Sequence, residues 1–196
     1  MRLLFVHAHP HADSFTTACR DTAIQAATAK GHETKLIDLY AENFQPNLTP
    51  DEWLSYPDPD AIDDALSPHI EALQWAEGLI FTHPTWWSGP PAILKGWLDR
   101  TFRPGIAFHV DGKTLRPGLP NIRLLGVLTS LGATSLQYNL LLAAPGRRQF
   151  LRSLRACTNR QCKTLWLAHY AVASSTEASR AAHLAKIAAR IAQIAV

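Results

Sequence analysis

Two stretches of this 196-residue chain hold residues whose types and spacing could do chemistry. The first is Phe81-Thr-His-Pro-Thr-Trp-Trp-Ser-Gly-Pro-Pro-Ala-Ile-Leu-Lys-Gly-Trp-Leu-Asp-Arg100. A short apolar strand over Gly78 to His83 leads into it. It ends as an amphipathic helix, with Ile93, Leu94, Trp97, Leu98 and Phe102 on one face. Neighbouring residues at a strand-to-helix turn cannot both point into one core. At least one of Trp86 and Trp87 is therefore expected at a surface. A flat indole at the carboxyl end of a strand suits a flat aromatic ligand. The alternative is that both are core or interface residues. Ser88 is the expected N-cap, with Pro90 and Pro91 in the first turn.

The second stretch is His7-Ala-His-Pro-His-Ala-Asp-Ser-Phe-Thr16. Ser14, or Asp13, is placed to cap a helix. Free N–H groups and the helix dipole would then face outward together, a combination that binds phosphate. Ser14 and Thr16 can add hydroxyls, and His9 a ring N–H. The plainer reading is an ordinary N-cap serine with a buried Phe15. Neither a GxGxxG fingerprint nor a GxxxxGK loop followed by Ser or Thr occurs. His7, His9 and His11 alternate, which suits a metal. Pro10 interrupts them, and Asp13 is the one carboxylate nearby, so no metal site is expected.

A third group is basic: Arg147, Arg148, Arg152, Arg155, Arg160 and Lys163. Arg148, Arg152 and Arg155 share a helical face opposite Phe150, Leu151 and Leu154. This is either a solvated face or an electrostatic guide for an anionic cofactor such as NADPH. No aromatic residues interleave with these charges, so nucleic acid is not expected as a partner.

The elements that must position these residues follow from the patterning. Strands are expected at Arg2 to His7, Glu33 to Leu39, Gly78 to His83, Ile122 to Leu128 and Lys163 to His169. Helices are expected from Ser14 to about Lys30, stopped by Gly31, and at Asp60 to Trp75. Others follow Ser88 and span Ser135 to Ala144, Pro145 to Cys157 and Thr176 to Val196. Asn43 to Pro59 and Arg103 to Asn121 read as long irregular connections. Strands alternating with helices imply an α/β, doubly wound, five-stranded parallel sheet of order 2-1-3-4-5, with helices on both faces. Its switch point brings His9 to Thr16, Pro84 to Ser88 and Thr129 to Gly132 along one rim.

Composition sets the class. Hydrophobic residues make up 47% and charged residues 18%, which suits one domain over residues 1–196. A net charge of +3 argues mildly for anionic ligands. No apolar run reaches the roughly 18 residues of a membrane helix, so the chain is not expected to be membrane-embedded. Its apolar start is too short for a signal peptide. Cys19, Cys157 and Cys162 then read as reduced thiols in a cytoplasm.

Three segments together carry a family resemblance: His7-Ala-His-Pro-His-Ala-Asp-Ser-Phe, Asp38-Leu-Tyr-Ala-Glu-Asn-Phe-Gln-Pro and Pro84-Thr-Trp-Trp-Ser-Gly-Pro-Pro-Ala-Ile-Leu-Lys-Gly-Trp-Leu-Asp-Arg. The chain resembles the flavodoxin-like NAD(P)H dehydrogenase (quinone) family. That family includes the mammalian quinone reductases and the bacterial ancillary proteins of potassium efflux systems. The resemblance implies a flavodoxin-like fold, bound FMN or FAD, NAD(P)H as co-substrate, a quinone-like acceptor and a homodimer. FMN is favoured, since the mammalian C-terminal extension is missing. His9, Ser14, Phe15 and Thr16 would form the phosphate loop. Pro84, Thr85, Trp86 and Trp87 would lie along the flavin ring, with Thr129, Ser130, Leu131 and Gly132 on its other side. Tyr138 matches a catalytic tyrosine near the flavin carbonyl. Trp87, Phe108 and Val110 would form the substrate pocket, the last two in the partner subunit's site. Leu131 replaces a family glycine, one extra residue precedes Tyr138, and Ala144 stands near where a histidine assists the tyrosine. The alternative functions are a flavin-binding regulatory subunit of a membrane transporter and a flavodoxin-type electron carrier.

Overall fold

The computed structural model describes residues 1–58 and 61–195. Among the described residues seven strands form in chain order: β1 Arg2–His7, β2 Glu33–Asp38, β3 Gly78–Pro84, β4 Phe108–Asp111, β5 Thr114–Pro117, β6 Leu124–Ser130 and β7 Lys163–His169. Five of them make a parallel sheet of order β2-β1-β3-β6-β7, which is 2-1-3-4-5 counted among themselves. The chain thus adopts the expected doubly wound order. The switch lies between β1 and β3, where Leu3 pairs with Gly78 and His7 with Thr82.

Both faces of the sheet are apolar, as parallel strands buried on two sides require. On one side Leu3, Phe5, Ile80, Leu128, Leu165 and Leu167 meet Ala23 and Ala27 of α1 (Phe15–Ala29) and Ile187 and Ile191 of the final helix, Glu177–Ala192. On the other, Leu4, Val6, Leu79, Phe81 and Val127 meet Ile70, Leu73, Leu94, Trp97 and Phe150. Each such Val, Leu, Ile or Phe side chain contributes about 1.5–3 kcal/mol on burial. That sum fixes the sheet, and the sheet fixes where the loops at its carboxyl edge converge.

The connections depart from expectation in several places. Asn43 to Asp58 is not wholly irregular, because α2 forms over Pro50–Ser55. Thr49 and Glu52 close a reciprocal capping box around Pro50. The next helix, α3, is Ser67–Trp75 and begins later than expected, with Pro68 in its first turn. The segment Arg103 to Asn121 contains the β4–β5 hairpin, turned by Gly112 at φ +60°. β6 runs two residues further than expected, so Thr129 and Ser130 end a strand and do not belong to a loop. Ser135 to Cys157 is broken helix: wide turns at Gln137–Leu141 and Gln149–Ser153 flank α5, Pro145–Arg148, and a tight turn follows at Leu154–Cys157. The expected element limits at Pro59, Asp60 and Val196 lie outside the described residues.

The start of α4, Ala92–Thr101, is also corrected. Its N-cap is Pro91, not Ser88. Its last turn carries Arg100, 5% exposed, which binds Glu52 at 2.6 Å, Gln45 O at 2.6 Å and Asp63 at 3.1 Å. Arg103 is buried and holds the carbonyls of Ser55, Tyr56 and Asp58. These two arginines tie the connection before α3 to the helix that leaves the site. Gly96 makes this possible, since a Cβ there would stand 2.2 Å from the Pro46 carbonyl oxygen. Among the described residues no helix is long and apolar enough to cross a membrane.

Candidate active site at the carboxyl edge of the sheet

Ser14 caps α1, as its residue type predicts. Its Oγ accepts the Thr17 N–H at 3.1 Å, and its own backbone stays extended. The N–H groups of Phe15 and Thr16 have no partner among the described residues. They carry the positive end of a helix of 15 residues. The Phe15 ring is half-buried, edge-on to His169 with centroids 5.2 Å apart. The Thr16 hydroxyl is buried and lies 3.5 Å from Ser130 Oγ. His9 Nδ1 lies 3.1 Å from both the His11 N–H and the His11 carbonyl oxygen, and Nε2 has no partner among the described residues.

β3 and β6 end side by side, with His83 opposite Thr129 and Pro84 opposite Ser130. The Thr85 N–H donates to Ser130 O at 2.8 Å, and the two hydroxyls of Thr85 and Thr129 meet at 2.8 Å. These contacts put the α1 start, the β3 end and the β6 end on one rim. The expected convergence of the three loops is therefore present.

Beyond Thr85 the chain makes a tight two-residue turn. Trp86 and Gly89 exchange both backbone hydrogen bonds at 3.0 Å. Trp87 and Ser88 between them take φ values of +48° and +64°. Two successive left-handed residues without glycine cost about 1–3 kcal/mol each, and such strain gathers at functional sites. This explains why Ser88 does not cap α4: it is spent on the turn. The outcome for the indoles is stronger than expected. Trp87 is fully exposed and Trp86 is 45% exposed. The N–H groups of Trp87 and Ser88 have no partner among the described residues, and those of Gly132 and Ala133 beyond β6 likewise. Leu131 is buried, its N–H given to His169 O at 3.0 Å.

The Ser88 carbonyl is held from below by the Gly146 N–H at 2.9 Å. A Cβ on Gly146 would come within 2.7 Å of that oxygen and 2.9 Å of the Tyr138 hydroxyl. Tyr138 therefore sits under the turn. It is 1% exposed, and its ring lies parallel to Trp166 at 6.2 Å. Its hydroxyl accepts the Arg147 N–H at 3.0 Å, and burial, ahead of all else, raises its pKa. In the single chain the phenol is thus enclosed beneath the turn, with its hydroxyl committed to the Arg147 N–H. Ala143 and Ala144, at φ +54° and +48°, reverse the chain just where a histidine was looked for.

Phe108 and Val110 stand on the β4–β5 hairpin. Phe108 is half-buried against the core and Val110 is 62% exposed. No hydrogen bond or ring contact among the described residues joins them to the rim of their own chain. Their expected role in a partner's site needs a second copy.

Two histidines, His7 and His83, brace the rim. His7 Nδ1 meets Thr82 Oγ1 at 2.7 Å, and its Nε2 meets Thr17 Oγ1 at 3.4 Å, joining β1, β3 and α1. Burial, and then Arg20, lower its pKa to about 4. His83 stacks on Phe150 at 5.2 Å with Nδ1 against Pro84 O at 2.9 Å, and burial lowers its pKa to about 4. His9 and His11 leave the strand altogether, so the three alternating histidines share no face. Among the described residues no three His, Cys, Asp or Glu side chains cluster as a metal site would need.

Whether these residues suit a flavin can be judged from their donors. A phosphate needs several convergent N–H and O–H groups, and Phe15, Thr16 and the Thr16 hydroxyl offer them. The ring's polar edge needs donors in a plane, and Trp87, Ser88 and Gly132 offer free backbone N–H groups. The rim fits the group.

The flavodoxin-like fold family model matches residues 1–195. NAD(P)H dehydrogenase (quinone) 1 of Cavia porcellus is 37% identical over 151 residues, covering 69% of this chain and 55% of that protein. The uncharacterized NAD(P)H oxidoreductase YcaK of Escherichia coli is 35% identical over 118 residues, 58% of each chain. The chain thus spans a little over half the length of these curated relatives. Among solved structures, Smu.1420 from Streptococcus mutans superposes with a TM-score of 0.87 at 26% identity, covering 99% of this chain and 100% of that one. The sheet order, the loops converging on its carboxyl edge and the match along residues 1–195 agree, and the chain belongs to the flavodoxin-like fold family.

Proposed function

We propose that the protein is a flavin-dependent NAD(P)H oxidoreductase that passes electrons to a quinone-like acceptor. The observation that carries this reading is the set of unpartnered N–H groups at Phe15, Thr16, Trp87, Ser88 and Gly132, on the three segments that end at the carboxyl edge, together with an exposed indole. Similarity to proteins named NAD(P)H dehydrogenase (quinone) and NAD(P)H oxidoreductase supports it. FMN is the flavin proposed, with FAD the alternative, because one helix N-terminus suits one phosphate. When bound, the flavin accepts hydride from the nicotinamide and hands both electrons on. Phe15 and Thr16 hold the phosphate by backbone N–H groups, and Thr16 and His9 add side-chain donors. Pro84 and Thr85, fixed by Ser130 O and Thr129 Oγ1, set the height of the shelf. Trp86 and Trp87 wall it and exclude water. The N–H groups of Trp87, Ser88 and Gly132 face the ring's edge and stabilise negative charge there as it grows, which lowers the barrier. The purified protein is expected to be yellow, or to quench the fluorescence of added FMN. A colourless protein that leaves both FMN and FAD fluorescence unchanged would overturn the reading.

Tyr138 is proposed as a positioning residue that holds the start of α5 beneath the strained turn. Tyr138→Phe leaves the Arg147 N–H unpaired, which costs about 1–3 kcal/mol of stability. Flavin should stay bound and its reduction by NAD(P)H should keep its rate. Reduction slowed roughly tenfold at unchanged stability, measured by stopped flow and urea melts, would return the phenol to the reacting edge.

A homodimer is also proposed. The single chain leaves Trp87 bare, along with Leu136, Leu140 and Leu141 at 65–78% exposure. Apolar area of that kind suits an interface. The β4–β5 hairpin would bring Phe108 and Val110 over the partner's shelf. Light scattering should give twice the mass of one chain, and a fully active monomer would refute this.

A further inference from the structure

Sixteen acidic residues occur in the chain, and none lies from Gly112 to Thr176. Nine Lys or Arg residues do. Arg116 pairs with Asp111 and Arg123 with Glu77 across to other segments. Arg147, Arg148 and Arg152 form no ion pair among the described residues, and all three are exposed.

These three guanidinium groups line one cleft of about 390 Å³, with Asn139, Leu151 and Thr164. An adjoining hollow of about 400 Å³ shares Arg148 and Arg152. Both volumes fall in the range of small-molecule sites. The cause of the clustering is Phe150. It is fully buried between Phe81 and His83, so the residues around it turn their polar sides outward together. Like charges four residues apart repel. No carboxylate of the described residues relieves that repulsion, whereas an anion in the cleft would. The cleft also adjoins the rim. Gly146 donates to Ser88 O of the turn, and Arg147 is the next residue.

We propose that this cleft is a phosphate subsite of the nicotinamide co-substrate, taking the 2′-phosphate of NADPH. It rests on the oxidoreductase reading above. Guanidinium groups match a phosphate monoester by paired N–H donors, and NADH has no 2′-phosphate to put there. The adjacent Leu151 side chain suits the uncharged part of the same nucleotide. The dinucleotide's diphosphate shares this chemistry and is common to both cofactors, so the two sources can be told apart.

Titration calorimetry of the purified protein, flavin as isolated, with 2′,5′-ADP and with 5′-ADP tests the assignment. 2′,5′-ADP is expected to bind at least about tenfold more tightly. In Arg148→Gln/Arg152→Gln its binding should weaken about tenfold or more, while 5′-ADP binding and the rate of NADH oxidation stay unchanged. Arg152→Lys should recover part of the loss, as a point charge without the fork would. Equal binding of the two nucleotides, or binding of 2′,5′-ADP that survives the double substitution, would overturn the subsite. Equal kcat/KM for NADH and NADPH would overturn it while leaving the oxidoreductase reading intact. A protein that oxidises neither cofactor would overturn that reading, and the subsite would still stand or fall on 2′,5′-ADP binding.

Discussion

Ser14→Asp is expected to abolish tight flavin binding without harming the fold, whereas Ser14→Ala should do the reverse. The serine hydroxyl is already committed to the Thr17 N–H. Alanine removes that cap and costs about 1 kcal/mol of stability. The free N–H groups of Phe15 and Thr16 remain, so flavin affinity should change little. Aspartate is as good an N-cap as serine, and its charge favours the helix dipole. It also sets a negative charge beside the phosphate. At 4 Å and an effective dielectric near 20 that repulsion is about 4 kcal/mol, or roughly a thousandfold in affinity. The two substitutions therefore separate cap from phosphate loop. Flavin dissociation constants from fluorescence, set against urea midpoints, give the comparison. Similar flavin affinities for the two variants would place the phosphate elsewhere.

The second large effect expected is acid lability between pH 6.5 and about 4. Burial is the first cause that lowers the pKa of His7, His83 and His183 from 6.5 to about 4. Arg20 adds to it at His7, and His169 and Lys186 at His183. In that window the unfolded chain binds protons at these positions and the folded chain does not. Stability is fully present above pH 6.5 and is lost as pH falls toward 4. Each histidine contributes about 1.4 kcal/mol per pH unit, so the three approach roughly 4 kcal/mol per unit. Domains of this kind hold about 5–15 kcal/mol in total, so unfolding should come well above pH 4. Urea midpoints at pH 7, 6 and 5 measure the slope. His183→Phe keeps a ring against Phe15 and should remove about a third of it. A midpoint that does not move between pH 7 and 5 would show that these rings are not buried as neutral bases.

The acid effect and the capped start of α1 sit at opposite ends of what could be read in advance. Ser14, Phe15 and Thr16 were legible because N-capping is local chemistry: the residue type and the next turn decide it. The sheet order was legible for a related reason. Apolar runs at β1, β3, β6 and β7 alternate with helical periods, and chirality leaves few ways to wind them. The capping box Thr49-Pro-Asp-Glu52 and the Asp111-Gly112 turn were written in the sequence too, although neither α2 nor the hairpin was expected. Both are short local signals inside stretches dominated by proline.

What only the tertiary structure decided concerns residues whose environment is built by distant segments. Trp87 and Ser88 take left-handed conformations because Trp86 and Gly89 pair and Gly146 grips the Ser88 carbonyl, a partner 58 positions along the chain. No local preference of tryptophan or serine favours that backbone, so the sequence pointed to an N-cap in its place. Tyr138 carries the right residue type for a proton donor. Its burial comes from Trp166 and from the chain reversal at Ala143 and Ala144, which packing imposes on alanines that intrinsically prefer helix. His83 looks like any other histidine in the sequence, and His7 stands out there only by alternating with His9 and His11; both become neutral supports only when the sheet encloses them. The amino-acid sequence by itself determined which local elements form and which donors begin α1. The packed sheet determined which of those donors face one another across the rim, because a side chain's exposure and charge depend on neighbours that only folding supplies.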